Sequence, residues 1–222
     1  AGNLLHDVLE HCDFSNPDWP AVLQDPVMRF GRLREGEETE LVEWLQECLD
    51  TELLAIGDRL SSRPSTRLSQ LKWEATLRES AFYFPLEKVS LSALVHILQQ
   101  HRQSDALIEL PDYHTLTGMM HGYIDLIFEH QGHYFVADYK STHLGNRLSD
   151  YDHDALKRNN EEHFYDLQYL IYCLALHRYL SNRLPDYDPQ PHFGGVYYLY
   201  LRGMKPGADS GVFQTAISPE LL

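Results

Sequence analysis

The stretch GYIDLIFEHQGHYFVADYKSTH, Gly122 to His143, constrains this chain more than any other. Two runs of β-branched and aromatic residues flank a Gln-Gly pair, which reads as an antiparallel hairpin closed by a tight turn. Yet Asp125, Asp138 and Lys140 stand inside the runs and not at their ends. Side chains alternate faces along a strand, so Tyr134, Val136, Asp138 and Lys140 project together, while Phe135, Ala137 and Tyr139 take the other side. A turn centred on Gln131-Gly132 sets His130 opposite His133, and counting back along the ladder sets Asp125 opposite Asp138. Opposed residues share a face, with Cβ atoms roughly 4.5–5.5 Å apart.

Two facing carboxylates in a half-buried sheet repel each other and are costly when left unpaired. One Asp can be protonated, Lys140 can neutralise the pair, or a divalent cation can sit between them. Hard oxygen donors of this kind suit Mg²⁺, Mn²⁺ or Ca²⁺, and the cation reading accounts for the most residues at once. Freely solvated charges fit less well beside Ile124, Leu126, Phe128, Phe135 and Val136.

At 222 residues the chain is long enough for one well-cored domain with a helical elaboration. Asn3 to His11 reads as a short helix, with Asn3 as its cap and Leu4, Leu5, Val8 and Leu9 on one face. Asp13 to Pro26 reads as a loop, and Glu38 to Ile56 as a long amphipathic helix. Ser61 to Gln70 is a polar loop carrying Arg63 and Arg67. Ser80 to Phe84 reads as a strand ending at Pro85, Ser90 to His101 as a helix, and Thr117 to Glu129 and His133 to Ser141 as the hairpin. After a polar connection, Thr142 to Asn160, Glu161 to Leu180 predicts a helix with Leu167, Leu170, Ile171 and Leu174 facing the core. Gly194 to Gly203 closes the pattern as a strand, followed by a partly ordered tail. This alternation implies an α/β sandwich.

No apolar run is long enough to span a membrane. Cys12, Cys48 and Cys173 are scattered and odd in number, which fits reduced, mostly buried thiols and neither a disulfide framework nor a zinc site. The chain opens without a secretory pattern and without Met, as expected of a domain excised from a longer protein.

The spacing of GYID and DYK resembles the core of the PD-(D/E)XK nuclease superfamily. GNLLH near the N-terminus, YDLQYLIY in the long helix and HFGGVYYLYLRG near the end narrow the resemblance to RecB-type nucleases, the nuclease part of bacterial RecBCD helicase–nucleases. The likeness runs from Gly2 to about Gly203, with the motifs in family order. It implies a restriction-endonuclease-like α/β core, a central mixed β-sheet flanked by helices with an N-terminal helical elaboration. In those terms residues 1–75 are the elaboration carrying His6, 76–203 the nuclease core and 204–222 a tail.

The same resemblance implies a metal set of His6, Asp125, Asp138 and the Tyr139 carbonyl, holding Mg²⁺, with Mn²⁺ or Ca²⁺ able to take its place. Asp125, Asp138, Lys140, Gln168 and Tyr172 form the implied catalytic set. Glu79 resembles a family Glu near the site, although Ala81 stands where a second acid is expected. Glu79, Arg147, Lys157 and Arg158 are candidate DNA contacts, with Arg63 and Arg67 as further phosphate candidates. His11 is a bystander in this scheme.

The implied activity is metal-dependent hydrolysis of DNA phosphodiesters, of the exodeoxyribonuclease V type, in recombinational double-strand break repair in the bacterial cytoplasm. A formal net charge of −15 argues against strong intrinsic affinity for nucleic acid. Mainly single-stranded DNA delivered by the helicase portion of the same polypeptide resolves that conflict, because local concentration replaces affinity. RecC, RecD and the RecA recombinase are the further implied partners. An alternative is a recombinase-docking and regulatory module using the acidic face and the Glu38–Ile56 helix. A third reading is a Mg²⁺-dependent phosphohydrolase acting on nucleotides.

Overall fold

The computed structural model describes residues 2–31, 34, 36–56, 65–103, 108, 115–218 and 221. Its centre is a mixed five-stranded sheet in the order β3-β4-β5-β6-β7. These strands are Thr76–Ser90, Thr115–His130, His133–Lys140, Phe193–Tyr200 and Val212–Thr215, and only β5 and β6 run parallel. The expected α/β fold, a mixed sheet with helices on both faces, is what the chain adopts. A two-stranded ribbon, β1 (Glu52–Leu53) with β2 (Thr66–Arg67), lies apart from this sheet.

Each face of the sheet has its own core. On one, α1 (Gly2–His11) and α3 (Glu37–Asp50) bury Leu5, Val8, Leu9, Leu45, Cys48 and Leu49 against Leu126, Phe128, Phe135 and Tyr197. α2 (Trp19–Phe30) packs on α1 and adds Leu23. On the other face, α4 (Leu91–Arg102), α5 (His153–Glu162) and α6 (Tyr165–Arg183) cover Ile127, Val136, Val196 and Tyr198. A single-turn α7 (Pro189–His192) leads into β6. All three cysteines are buried.

The hairpin forms as its sequence predicts. Gln131 and Gly132 both take positive φ, 51° and 81°, the signature of a type I′ turn. The register runs from His130↔His133 to Leu126↔Ala137, so Asp125 and Asp138 fall at the next position. Gly194 is required by close approach, since a Cβ there would come within 2.3 Å of the Phe135 ring.

Several boundaries differ from the sequence reading. Asp13 to Pro26 is not all loop, because Asp18 caps α2 by accepting from the Ala21 amide and Pro20 sits in the first turn, where its missing N–H costs nothing. α3 stops at Asp50, and Glu52 and Leu53 enter the small ribbon. β3 continues through Pro85 to Ser90, which an edge strand permits when the proline faces outward. The polar connection contains α5, capped by Asp152 and burying Leu156, Asn159 and Asn160. Phe164, at φ 54°, separates α5 from α6, so the long helix starts at Tyr165 and not Glu161. The buried side of α6 is Asp166, Tyr169, Leu170, Cys173, Leu176 and Leu180, with Leu167, Ile171 and Leu174 half-buried on its flank. Beyond Gly203 the chain is ordered enough to supply β7, which pairs with β6. Among the described residues, no helix is long and apolar enough to cross a membrane.

Candidate active site

The site begins with an irregularity in β4. The β3–β4 ladder bridges Arg78 to Leu126 and Ser80 to Ile124 but leaves out Glu79 and Asp125. Glu79 takes φ 45°, a left-handed conformation uncommon outside glycine. On the other side, Asp125 Oδ2 accepts the Tyr139 amide at 2.8 Å, so a side chain replaces the next ladder bond. The strand's alternation slips here: Ile124 belongs to the α6 core and Leu126, two residues on, to the α1 core.

At this slip the strands open into a cleft of about 620 Å³, lined by His6, Asp125, Asp138, Tyr139, Lys140, Gln168 and Tyr172 together with Glu10 and Arg29. From α1, His6 Nδ1 stands 3.4 Å from Asp125 Oδ2. Ligand atoms of His6, Glu79 and Asp125 all lie within 4.8 Å of one another. Asp138 is outside that trio; its Oδ2 sits 2.7 Å from the Lys140 ammonium. Oδ2 is buried, and the Lys140 ammonium is the charge that faces it.

Lys140 is held from several sides. Gln168 Oε1 lies 3.1 Å from its ammonium, which also sits 3.9 Å from the centroid of Tyr165 and 4.9 Å from that of Tyr198. Gln168 Oε1 accepts from the Tyr198 hydroxyl at 2.8 Å, and its Nε2 donates to the Tyr172 hydroxyl at 2.8 Å. Gln168 and Tyr172, implied members of the catalytic set, therefore line the cleft and also fix the lysine. Tyr172 is in addition a core residue, edge-on to Phe82.

The electrostatics follow from this crowding. Burial first, and Asp125 second, push the Asp138 carboxyl up to about 7 against the opposing pull of Lys140. Burial and then Asp125 raise Glu79 as well. The Asp125 carboxylate raises His6, with burial opposing. Acids pressed together, one of them held by the Lys140 ammonium, and an adjacent imidazole make a donor set that fits a hard divalent cation.

Glu79, which by sequence resembles a family Glu near the site and is also a candidate DNA contact, stands beside His6 and Asp125. Its positive φ, invisible in the sequence, turns it there. Arg147 and Arg158 are exposed and do not line the cleft. Lys157 pairs loosely with Glu161 at 3.9 Å beside a different hollow. Arg67 is exposed on β2, and Arg63 lies outside the described residues. The cleft's overlooked cation is Arg29 of α2, bonded to Asp7 at 2.9 Å. Reading Asp18 and Pro20 as a helix start could have found it.

A mixed sheet that gathers Asp125, Asp138 and Lys140 where two strands part is the arrangement of a PD-(D/E)XK nuclease. The family model of the PD-(D/E)XK nuclease superfamily matches residues 1–220, and the chain belongs to that superfamily. Its relatives include the RecBCD enzyme subunit RecB of Haemophilus influenzae, 38% identical over 222 residues, which is all of this chain and 18% of the relative. The RecBCD enzyme subunit RecB of Escherichia coli K12 is 37% identical over 216 residues, covering 96% of this chain and 18% of its own length. That of Mycobacterium tuberculosis H37Rv is 33% identical over 239 residues, covering 96% and 22%. The chain thus spans about a fifth of the curated relatives it matches.

Proposed function

We propose that this chain is a Mg²⁺-dependent deoxyribonuclease domain that hydrolyses DNA phosphodiester bonds. The observation that carries the reading is the convergence of Asp125, Asp138, Lys140 and His6 on one cleft within a PD-(D/E)XK fold. Asp125, Glu79 and His6, with Asp138 and the Tyr139 carbonyl, would hold the ion. A bound divalent cation supplies charge for the phosphate oxygens and lowers the pKa of a coordinated water.

The chain's own residues do the rest. Lys140, pinned by Asp138, Gln168 and two aromatic rings, presents a positive charge where charge develops on the scissile phosphate. It also orients the attacking water, and Gln168 and Tyr172 keep the lysine from swinging away. Arg29 is a phosphate contact at the cleft rim. The product carries a 5′-phosphate.

Single-stranded DNA is the substrate form. Beyond Ser80 the β3–β4 ribbon turns Phe82 and Phe84 toward α6, so Ala81, Tyr83, Met119, His121 and Tyr123 lie on the opposite, exposed side. Tyr83 stacks on His121, and Tyr123 stands two residues from Asp125. Uncharged aromatic surface leading away from the acids suits unpaired bases, which stack without needing basic residues.

The strand is delivered by the helicase portion of the same polypeptide, in a complex with RecC and RecD in the cytoplasm. The relatives' name, RecBCD enzyme subunit RecB, supports the complex with RecC and RecD, and RecA is a further proposed partner. The docking-module alternative loses its apolar surface, because Leu45, Cys48 and Leu49 of α3 are fully buried. Labelled single-stranded oligonucleotide incubated with the chain and Mg²⁺ should be cut, and EDTA should stop it. Hydrolysis of free nucleotides with intact DNA would overturn the reading.

A further inference from the structure

We propose that Arg78 is a positioning residue for the cation site, anchoring the helix that carries His6; this inference rests on the nuclease reading above. Helix α1 ends at His11, and the last carbonyls of a helix have no partner within it. Arg78 Nη1 donates to the carbonyls of Leu9 at 3.1 Å and Glu10 at 3.3 Å, and also to that of Cys12. One guanidinium from β3 therefore gathers the carbonyl end of α1, where the helix dipole also favours a cation.

The guanidinium is itself fixed. Its carbon lies 3.8 Å from the centroid of Phe14 and 4.3 Å from that of Trp73. Nε and Nη2 are buried with no hydrogen-bond partner among the described residues, so the carbonyl cluster and the two rings hold the group in place.

Arg78 immediately precedes Glu79. Along an undistorted strand the two side chains would point to opposite faces. Here φ 45° at Glu79 brings its carboxylate to His6 and Asp125, on the side from which Arg78 grips α1. One dipeptide of β3 thus supplies an acid to the site and fastens the helix that supplies the imidazole. His6 lies about one turn before the clamped carbonyls. Loosening the clamp leaves the ligand types intact but lets His6 drift from Asp125.

The test is Mn²⁺ binding, measured by calorimetry or by the loss of free-ion EPR signal, together with thermal stability. The proteins are the unaltered chain, Arg78→Met, Arg78→Lys, His6→Ala and the Arg78→Met/His6→Ala pair. Loss of a group that orients a metal ligand typically weakens affinity about 10–100-fold, so Arg78→Met should bind Mn²⁺ at least tenfold more weakly. Arg78→Lys, keeping charge but not the planar group held against Phe14 and Trp73, should fall between. Once His6 is gone, removing Arg78 should change Mn²⁺ affinity no further, although thermal stability drops again. Unchanged affinity in Arg78→Met, or equal losses with and without His6, would reduce Arg78 to a packing residue and overturn the proposal. If Arg78→Met does not fold, the Arg78→Lys comparison, alone and with His6→Ala, decides by the same criterion. Mn²⁺ binding unchanged in Asp125→Ala would instead refute the nuclease site, which separates the two failures.

Discussion

The amide oxygen of Gln168, on α6, lies 3.1 Å from the ammonium of Lys140, on β5. That contact ties the helix over one face of the sheet to the ammonium that lines the cleft. Gln168→Ala removes it, along with the Tyr198 and Tyr172 contacts. Misplacing a reacting group by about 1 Å can cost ~100-fold, so single-turnover cleavage should slow by one to two orders of magnitude. Mn²⁺ affinity should hold, because Gln168 is not among the donors.

Lys140→Met removes the charge itself. Loss of one preorganised donor at a developing charge costs about 10²–10³ in rate, and cleavage should fall by that much. Metal binding should persist or tighten, since the mutation frees Asp138 from its ion pair. A rate close to that of the unaltered chain would show that the lysine is a bystander.

Asp138→Asn should trade activity for stability. The folded chain holds the Asp138 proton up to about pH 7, against an ordinary value of 3.8. Between those values the folded state binds more protons than the unfolded state, so this group's contribution falls as pH rises. In EDTA, Asp138→Asn should melt higher than the unaltered chain at pH 8, with the gap closing toward pH 5. A change worth about 1 kcal/mol corresponds to ~2–4 °C at this chain length.

The exposed ribbon makes a prediction about substrate form. Tyr83→Ala and Tyr123→Ala each remove a stacking surface worth about 1–3 kcal/mol per base. Affinity for oligo-dT, measured by anisotropy with catalysis blocked by Ca²⁺, should weaken at least fivefold in the double variant. Affinity for duplex of equal length should change less.

The hairpin register was legible because two constraints agreed: a Gln-Gly turn and alternating faces set the ladder as far as Leu126↔Ala137, one step short of Asp125 and Asp138. There the strand slips, and Asp125 accepts from the Tyr139 amide instead. Lys140 followed from the same period of two. The place of Glu79 beside His6 and Asp125 agrees with its resemblance to a family Glu near the site, but the positive φ that turns it there is not announced by the residue type. Helix α2 was hidden by Pro20 and Pro26, which are loop signals by composition and helix-compatible by position. Helix α5 was hidden because its buried face uses Asn159 and Asn160, bonded to the Tyr200 hydroxyl, where an apolar stripe is normally sought. Arg147, Lys157 and Arg158 lie away from the cleft, and a residue's charge in the sequence does not say which face it occupies.

Metal-dependent cleavage by Asp138→Ala tests the assignment most directly. With single-stranded DNA and Mg²⁺ or Mn²⁺, the unaltered chain should cut and leave 5′-phosphates, while Asp138→Ala, folded by circular dichroism, should show no cleavage above the EDTA control. Full metal-dependent cleavage by Asp138→Ala would contradict it.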